Sequence, residues 1–276
     1  MSPIQRVTLG QGGAEHDAAD AAITSFTGRR FAGKVAVVTG TGSGIGRAVA
    51  HRLASEGASV AALDVAEDAL AATVEAITGQ GGSAAGFPCD VTSESSVNEA
   101  VAALTGTLGA PTVVCNVAGV GGFFNTVDMP FDWWQKILAV NLTGPFLVCR
   151  ATLPSLLEHG GSIVNVASNT ALKGQSYSAA YCASKAGLLM FSKALAAEYL
   201  SRGVRVNVVA PGGVDTPLMG KFELPEGADV KELGKMMTPM GFATPAEIAA
   251  SVAFIASDES SYTTGAVLSV DGGLTI

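Results

Sequence analysis

Histidine is scarce in this chain. There are three, His16, His51 and His159, and none stands beside a motif that uses one. That scarcity argues against a catalytic metal held by imidazoles and against a Ser-His-Asp hydrolase, for which no G-x-S-x-G elbow appears either. Cysteine is equally sparse: Cys89, Cys115, Cys149 and Cys182 are widely spaced, with no C-x-x-C pair for zinc or thiol exchange, and they read as small core residues. Positive charge is in deficit, with 16 basic against 24 acidic residues and a formal charge of -8. A surface of that sign repels phosphates, so no nucleic-acid partner is expected. Long apolar runs are also missing. The mean hydropathy is +0.39, yet stretches such as Val35 to Val38 and Val204 to Ala210 fall far short of the roughly 20 residues a spanning helix needs. No membrane partner is expected. With no basic segment followed by an apolar core at the N-terminus, a cytoplasmic location is the expectation.

What is present is apolar and alternating. Of 276 residues 48% are hydrophobic, enough for a substantial buried core. Residues 1 to about 32 are small and polar and read as an N-terminal extension, loosely ordered or draped over a neighbouring subunit. From Gly33 onward, short β-branched runs (Val35 to Val38, Val60 to Leu63, Val113 to Cys115, Ser162 to Val166, Val204 to Val209, Val267 to Val270) alternate with segments of helical periodicity. The helices are expected near Ile45 to Ser55, Glu67 to Thr78, Ser95 to Leu108, Trp133 to Leu157, Ala179 to Leu200 and Pro245 to Ala256. Such alternation predicts an α/β fold with right-handed crossovers: a single doubly wound parallel sheet (Rossmann fold) with helices on both faces. Residues 33 to 276 therefore form one domain. Gly212 to Thr244 interrupts the pattern with three prolines, four methionines and two phenylalanines. It is too long for an ordinary connection and apolar enough to be a substrate lid.

The run Val35-Ala36-Val37-Val38-Thr39-Gly40-Thr41-Gly42-Ser43-Gly44-Ile45-Gly46 sets a glycine-rich turn between a buried strand and a helix. Glycine lets the backbone turn tightly and approach a pyrophosphate, whose charge meets free N-H groups at the positive end of the helix. No Gly-Lys-Ser/Thr follows, so a nucleoside-triphosphate loop is not indicated. Asp64 ends the second strand 24 residues after Gly40, where a carboxylate accepts hydrogen bonds from adenosine ribose hydroxyls. A 2'-phosphate would meet a like charge there, and neither Ser43 nor Val65 supplies a cation. NAD is favoured over NADP.

Further on, Tyr181-Cys182-Ala183-Ser184-Lys185 opens a helical segment whose four-residue spacing places Tyr181 and Lys185 on one face. A free phenol titrates near 10, too high for a good base at neutral pH, and a neighbouring ammonium is expected to lower it. Ser168 ends the strand of Ser162 to Ala167, at the carboxyl edge where open α/β sheets bind ligands.

These residues resemble the classical short-chain dehydrogenase/reductase family, from Gly33 to Gly273. The matching motifs are Thr39-Gly40-xxx-Gly44-x-Gly46, Asp64, Asp90-Val91, Asn116-Val117-Ala118-Gly119, Asn141, Ser168, Tyr181-xxx-Lys185, Pro211-Gly212 with Thr216, and Asp271-Gly272-Gly273. The resemblance implies that Tyr181 is the general acid or base, that Ser168 hydrogen-bonds the reacting oxygen, that Lys185 tunes Tyr181 and grips the nicotinamide ribose, and that Asn141 supports a water relay behind Lys185. It also implies that Asp90 and Val91 flank the adenine, that Asn116, Ala118 and Gly119 line the middle of the cofactor, and that Val214 and Thr216 contact the nicotinamide carboxamide. The implied assembly is a homotetramer built on the long helices Trp133 to Leu157 and Ala179 to Leu200 and the C-terminal strand. Val117 departs from the pattern, since many relatives carry a second asparagine there.

The lid contributes Leu218, Met219, Phe222, Met236, Met237 and Met240, and the loop after Gly119 contributes Phe123 and Phe124. They suit a hydrophobic or cyclic secondary alcohol or ketone, with Lys173, Gln175 and Lys221 available to a polar group. Trp133 and Trp134 are candidates either for subunit anchors or for the roof of the site. Two alternatives stand beside this reading. One is a 3-oxoacyl-thioester (acyl-carrier-protein) reductase, disfavoured by Asp64 and by the acidic surface. The other is a non-catalytic dinucleotide-binding sensor, disfavoured by the intact Asn141, Ser168, Tyr181 and Lys185 set.

Overall fold

The computed structural model describes residues 28–229, 231, 232, 235 and 238–276. Among the described residues, seven strands form one sheet in the order β3-β2-β1-β4-β5-β6-β7. They are β1 Val35–Thr39, β2 Ser59–Asp64, β3 Ser83–Pro88, β4 Val113–Asn116, β5 Gly161–Val166, β6 Val204–Pro211 and β7 Val267–Val270. Every pairing is parallel. The helices are α1 Gly44–Ser55, α2 Glu67–Gly79, α3 Glu94–Leu108, α4 Phe131–Leu138, α5 Gly144–His159, α6 Ala179–Glu198 and α7 Pro245–Ala256.

Strand alternation sorts the core into two layers, because successive side chains point to opposite faces of a sheet. Ala36 and Val38 of β1, with Val60 and Ala62 of β2, face Val49 and Leu53 of α1 and Ile248 and Val252 of α7. Val37, Ala61 and Leu63 turn the other way, toward Val97 and Leu104 of α3 and Leu153 and Leu156 of α5. Burial on both faces explains why the central strands read as unbroken apolar runs.

Strand β3 was not among the expected strands. Ser83-Ala84-Ala85-Gly86-Phe87-Pro88 carries no β-branched residue and lies at the sheet edge, half-exposed, so it has neither the composition nor the burial that marks its neighbours. The helix expected over Trp133 to Leu157 is also divided. A π-helical turn at Ala139–Thr143 separates α4 from α5, with the Gly144 N-H reaching back five residues to the Ala139 carbonyl. Pro145 has no N-H to give to the carbonyl four residues back, at Asn141, and the wider ladder accommodates that gap. By length and composition Phe131–His159 passes as a membrane span, but half of its apolar window is buried within the fold.

The expected extension of residues 1 to about 32 lies outside the described residues as far as residue 27. Its final residues belong to the domain. Phe31 is fully buried in the core layer of α1, and Arg30 pairs with Glu56 at 2.6 Å and Glu259 at 2.7 Å.

Candidate active site

The chain runs outward from β1 through β2 to β3, then restarts at β4 on the other side of β1. At such a reversal the loops above β1 and β4 part and leave a crevice at the carboxyl ends of the strands. A cavity of about 940 Å³ opens there, lined from Gly40 on one side to Leu224 and Phe242 on the other. That volume is at the upper end of the range for small-molecule and cofactor sites.

Its first half is shaped by backbone. Gly40 has φ +73°, and a Cβ on it would lie 2.8 Å from the Ala118 Cα. A Cβ on Gly46 would lie 2.0 Å from the Gly40 carbonyl oxygen. Only glycine permits this approach of strand, turn and helix. The Thr39 hydroxyl accepts the N-H groups of Val117 and Ala118 at 3.0 and 3.1 Å, tying the β4 loop to the β1 turn. Ser43 precedes α1 without a side-chain cap, leaving the first-turn N-H groups to an anion. The Asp64 carboxylate is held by the N-H groups of Gly42 at 2.7 Å and Ala66 at 2.9 Å. Arg47, a cation of α1 near this corner, gives its guanidinium to the Gly42 carbonyl and the Thr73 hydroxyl and is not on the cavity wall. Glycine-bounded cradle, uncapped helix end and oriented carboxylate together fit the diphosphate and adenosine ribose of a dinucleotide.

Gly40, Ser43, Gly44, Ile45, Gly46, Asp64, Asp90, Val91, Ala118, Gly119, Tyr181, Lys185, Pro211, Gly212, Val214 and Thr216 all line this cavity, as does Ser168. Asn116 does not. Its side chain lies within the sheet and donates to Asn165 Oδ1 at 2.8 Å, and Asn165 in turn donates to the Ser192 hydroxyl, so only its backbone is left to face a cofactor. A residue at the end of β4 alternates inward or outward, and Asn116 falls on the inward register. Asn141 is also off the wall and fully buried. Its amide accepts from the Val120 N-H and donates to the Val120 carbonyl, both at 2.9 Å, and donates to Ser184 at 3.1 Å, pinning the loop after Gly119 against α6.

Tyr181 and Lys185 lie in the first two turns of α6 with the Lys185 Nζ 5.8 Å from the tyrosine ring centre. The ammonium donates to the Val166 carbonyl at 2.9 Å. Ser168 and Tyr181 line the same wall, and burial pushes the Tyr181 phenol up to about 12, outweighing the opposing pull of the Ser168 hydroxyl. Burial lowers Lys185 to about 8. The expected acidification of the phenol by its ammonium neighbour is therefore not found. At this separation, with the ammonium turned to a carbonyl, desolvation outweighs attraction.

On the cap side, Phe222 meets Tyr181 edge-on at 5.7 Å and Phe123 at 4.9 Å, and Leu218 and Met219 line the same wall. Tyr177, at φ +65°, joins the parts of this cap: its carbonyl accepts from the Phe124 N-H and its hydroxyl from the Asp229 N-H, each at 2.8 Å. Met240 is exposed and Phe124 packs on Trp133, so neither reaches the cavity, and Met236 and Met237 lie outside the described residues. Neither Trp133 nor Trp134 roofs the site. Gln175 is on the wall, whereas Lys173 holds the carbonyl of Leu274 at 2.9 Å, bringing the C-terminal segment to the rim. Asn169, Thr170, Phe242 and Leu274 line the cavity without having been expected there. Loop contacts of this kind leave no periodic signal, although Asn169 adjoins Ser168 in sequence.

The family model described as Enoyl-(Acyl carrier protein) reductase matches residues 40–275. The chain is 42% identical over 250 residues to D-threitol dehydrogenase of Mycolicibacterium smegmatis, covering 90% of this chain and 95% of that protein. It is 40% identical over 252 residues to a 2,5-dichloro-2,5-cyclohexadiene-1,4-diol dehydrogenase of Sphingobium indicum, covering 90% and 98%. Among solved structures, a short-chain type dehydrogenase/reductase from Mycobacterium marinum superposes with a TM-score of 0.81 at 34% identity, covering 89% of this chain and 96% of that one. Another, from Beutenbergia cavernae, holds NADP at low occupancy (TM-score 0.80, 35% identity, covering 89% and 98%). Fold, glycine turn and the Ser168, Tyr181 and Lys185 grouping agree with these likenesses: the chain belongs to the short-chain dehydrogenase/reductase family.

Proposed function

We propose that this protein is a cytoplasmic, NAD-dependent oxidoreductase that interconverts a hydrophobic or cyclic secondary alcohol and its ketone. The observation that carries the reading is that Ser168, Tyr181 and Lys185 line the wall of one cavity. When bound, the nicotinamide supplies the hydride chemistry. The residues of the chain do the rest. Tyr181 gives a proton to the reacting oxygen in ketone reduction and takes it back in alcohol oxidation. Ser168 hydrogen-bonds that oxygen and stabilises charge developing on it. Lys185 reaches the ribose of the cofactor and places a positive charge behind the phenol. Asn141 holds the loop and the π-helical turn that close the site behind Lys185. Gly40, Ser43, Gly44, Ile45 and Gly46 hold the diphosphate, Asp64 the adenosine ribose, Asp90 and Val91 the adenine, and Val214 and Thr216 the carboxamide.

Asp64 supports NAD, because both of its oxygens are already oriented by backbone N-H groups and a 2'-phosphate would face an unbalanced carboxylate. The apolar wall of Phe123, Leu218, Met219 and Phe222 supports a hydrophobic substrate. Phe146 and Met190 are exposed on α5 and α6, and Phe254 on α7. These faces support a homotetramer, checked by light scattering of the eluted protein.

The test is a panel of secondary alcohols and ketones assayed with NAD(H) and with NADP(H), for the parent and for Tyr181→Phe. The parent turns over with NAD(H), and the variant falls by about three orders of magnitude while cofactor affinity stays near the parent value. Equal rates in the two proteins defeat the acid-base role of Tyr181. A preference for NADPH defeats the assignment of the nucleotide.

A further inference from the structure

The Ser168 hydroxyl has one proton, and in this structure it is spent away from the reaction. Ser168 donates to Asn169 Oδ1 at 3.1 Å and accepts the Thr170 N-H at 3.2 Å. Asn169 is 4% exposed and stands on the cavity wall, and its amide nitrogen is buried without a partner among the described residues. An unmet buried donor is costly and calls for a reason. The two ends of a primary amide have opposite hydrogen-bonding character, and a half-turn about Cβ–Cγ exchanges them.

We propose that Asn169 is a positioning residue that sets whether Ser168 donates to, or withholds its proton from, the reacting oxygen. With Oδ1 toward Ser168, the serine proton is held by the amide. With Nδ2 toward Ser168, the serine accepts from Asn169 and from Thr170, both of its lone pairs are used, and its single proton points to the oxygen that Tyr181 also faces. The orphaned amide nitrogen gains its partner in that second arrangement. No bond is made or broken in the exchange. The proposal rests on the catalytic reading of Ser168 and Tyr181 and adds to it the group that orients them.

Three variants test it. Asn169→Asp presents only acceptors to Ser168 while ionised, so kcat for ketone reduction falls about 100-fold at neutral pH. KM and the cofactor dissociation constant stay within about twofold, because Asn169 grips neither ligand. Protonation gives the carboxyl a donor, so the activity of this variant relative to the parent rises as pH falls. The ionisable groups around Ser168 and Asn169 are Tyr181 and Lys185 on α6 and Lys173 in the following loop. All three are common to parent and variant, so the ratio of the two profiles isolates position 169. Asn169→Ala removes both ends and loses about tenfold or less, and Asn169→Gln, which keeps an amide, recovers part of the loss. Equal losses in the Asp and Ala variants, a pH-independent ratio, or a loss confined to KM overturns the proposal. Ser168→Ala with parental kcat overturns the catalytic reading itself, an outcome distinct from the other three.

Discussion

The two halves of the cavity are built by different means. The cradle over β1 and β4 is made of backbone: Gly40 and Gly46 allow strand, turn and helix to approach within distances that no side chain tolerates, and Thr39 and Asp64 lock the result by hydrogen bonds to N-H groups. The cap around Phe222 is made of side chains, an aromatic and aliphatic surface held by a few contacts such as those of Tyr177. A backbone cradle accepts one shape of ligand. A side-chain cap on the same frame can be re-cut for many substrates, which is how one fold serves relatives acting on different alcohols.

The sharpest way to break this contrast is to place a methyl group in the cradle. In Gly46→Ala the new Cβ meets the Gly40 carbonyl at 2.0 Å, and the turn must open. The expected result is a loss of cofactor affinity of about 100-fold, measured by calorimetry, with about 2–4 kcal/mol lost from stability in denaturant unfolding. Unchanged affinity would show that the turn is more yielding than the geometry implies.

A smaller and opposite signature is expected in the cap. Phe222→Ala removes the edge-on contacts with Tyr181 and Phe123, so KM for an apolar ketone rises about tenfold while cofactor affinity changes by less than about twofold. If the nucleotide weakens as much as the substrate, the two halves are not separable.

The smallest effect concerns Lys185, which lies where the halves join. Its buried ammonium titrates near 8, below the value of about 10.4 for a lysine in the unfolded chain. Between these values the unfolded state binds more protons, so stability rises with pH through that window and the charge is a burden below it. Lys185→Met is expected to impair turnover and yet to raise stability at neutral pH by about 1–2 kcal/mol, a gain that shrinks toward pH of about 10. Thermal unfolding at both pH values reads the difference, and a destabilised variant at neutral pH would show that the bond to the Val166 carbonyl outweighs desolvation.

The Tyr181 phenol stays protonated well above neutrality, with its pKa pushed up to about 12. In terms of proton supply this favours ketone reduction near neutral pH. Alcohol oxidation needs the phenolate, whose fraction grows about tenfold per pH unit below that value, so its kcat/KM climbs with pH. A flat oxidation profile would remove Tyr181 as the titrating group.

Strands β1, β2, β4, β5 and β6 were legible because burial on both faces forces β-branched apolar runs, β7 was legible at the opposite edge because it keeps Val267 and Val270, and the nucleotide cradle was legible because its glycines have no substitute. Strand β3 was not, since an exposed edge strand needs only a neighbour to pair with. Nor was the π-helical turn, which is defined by the Gly144 N-H reaching back five residues to the Ala139 carbonyl and exists only inside a formed helix. Asn141 could be named from its motif, but its hold on Val120 joins residues 21 apart in the chain and required the fold.

Sequence alone determined the doubly wound sheet, the place of the crevice and the pairing of Tyr181 with Lys185, because periodicity, glycine turns and helical spacing are local properties, and the resemblance to the family added Ser168 to that pair. Tertiary structure decided the protonation of Tyr181 and Lys185, the turning of Asn116 into the sheet and the hold of Asn169 on the Ser168 proton. Each of these depends on burial and on partners distant in the sequence or placed by a loop, and desolvation exists only once the chain has closed around the group.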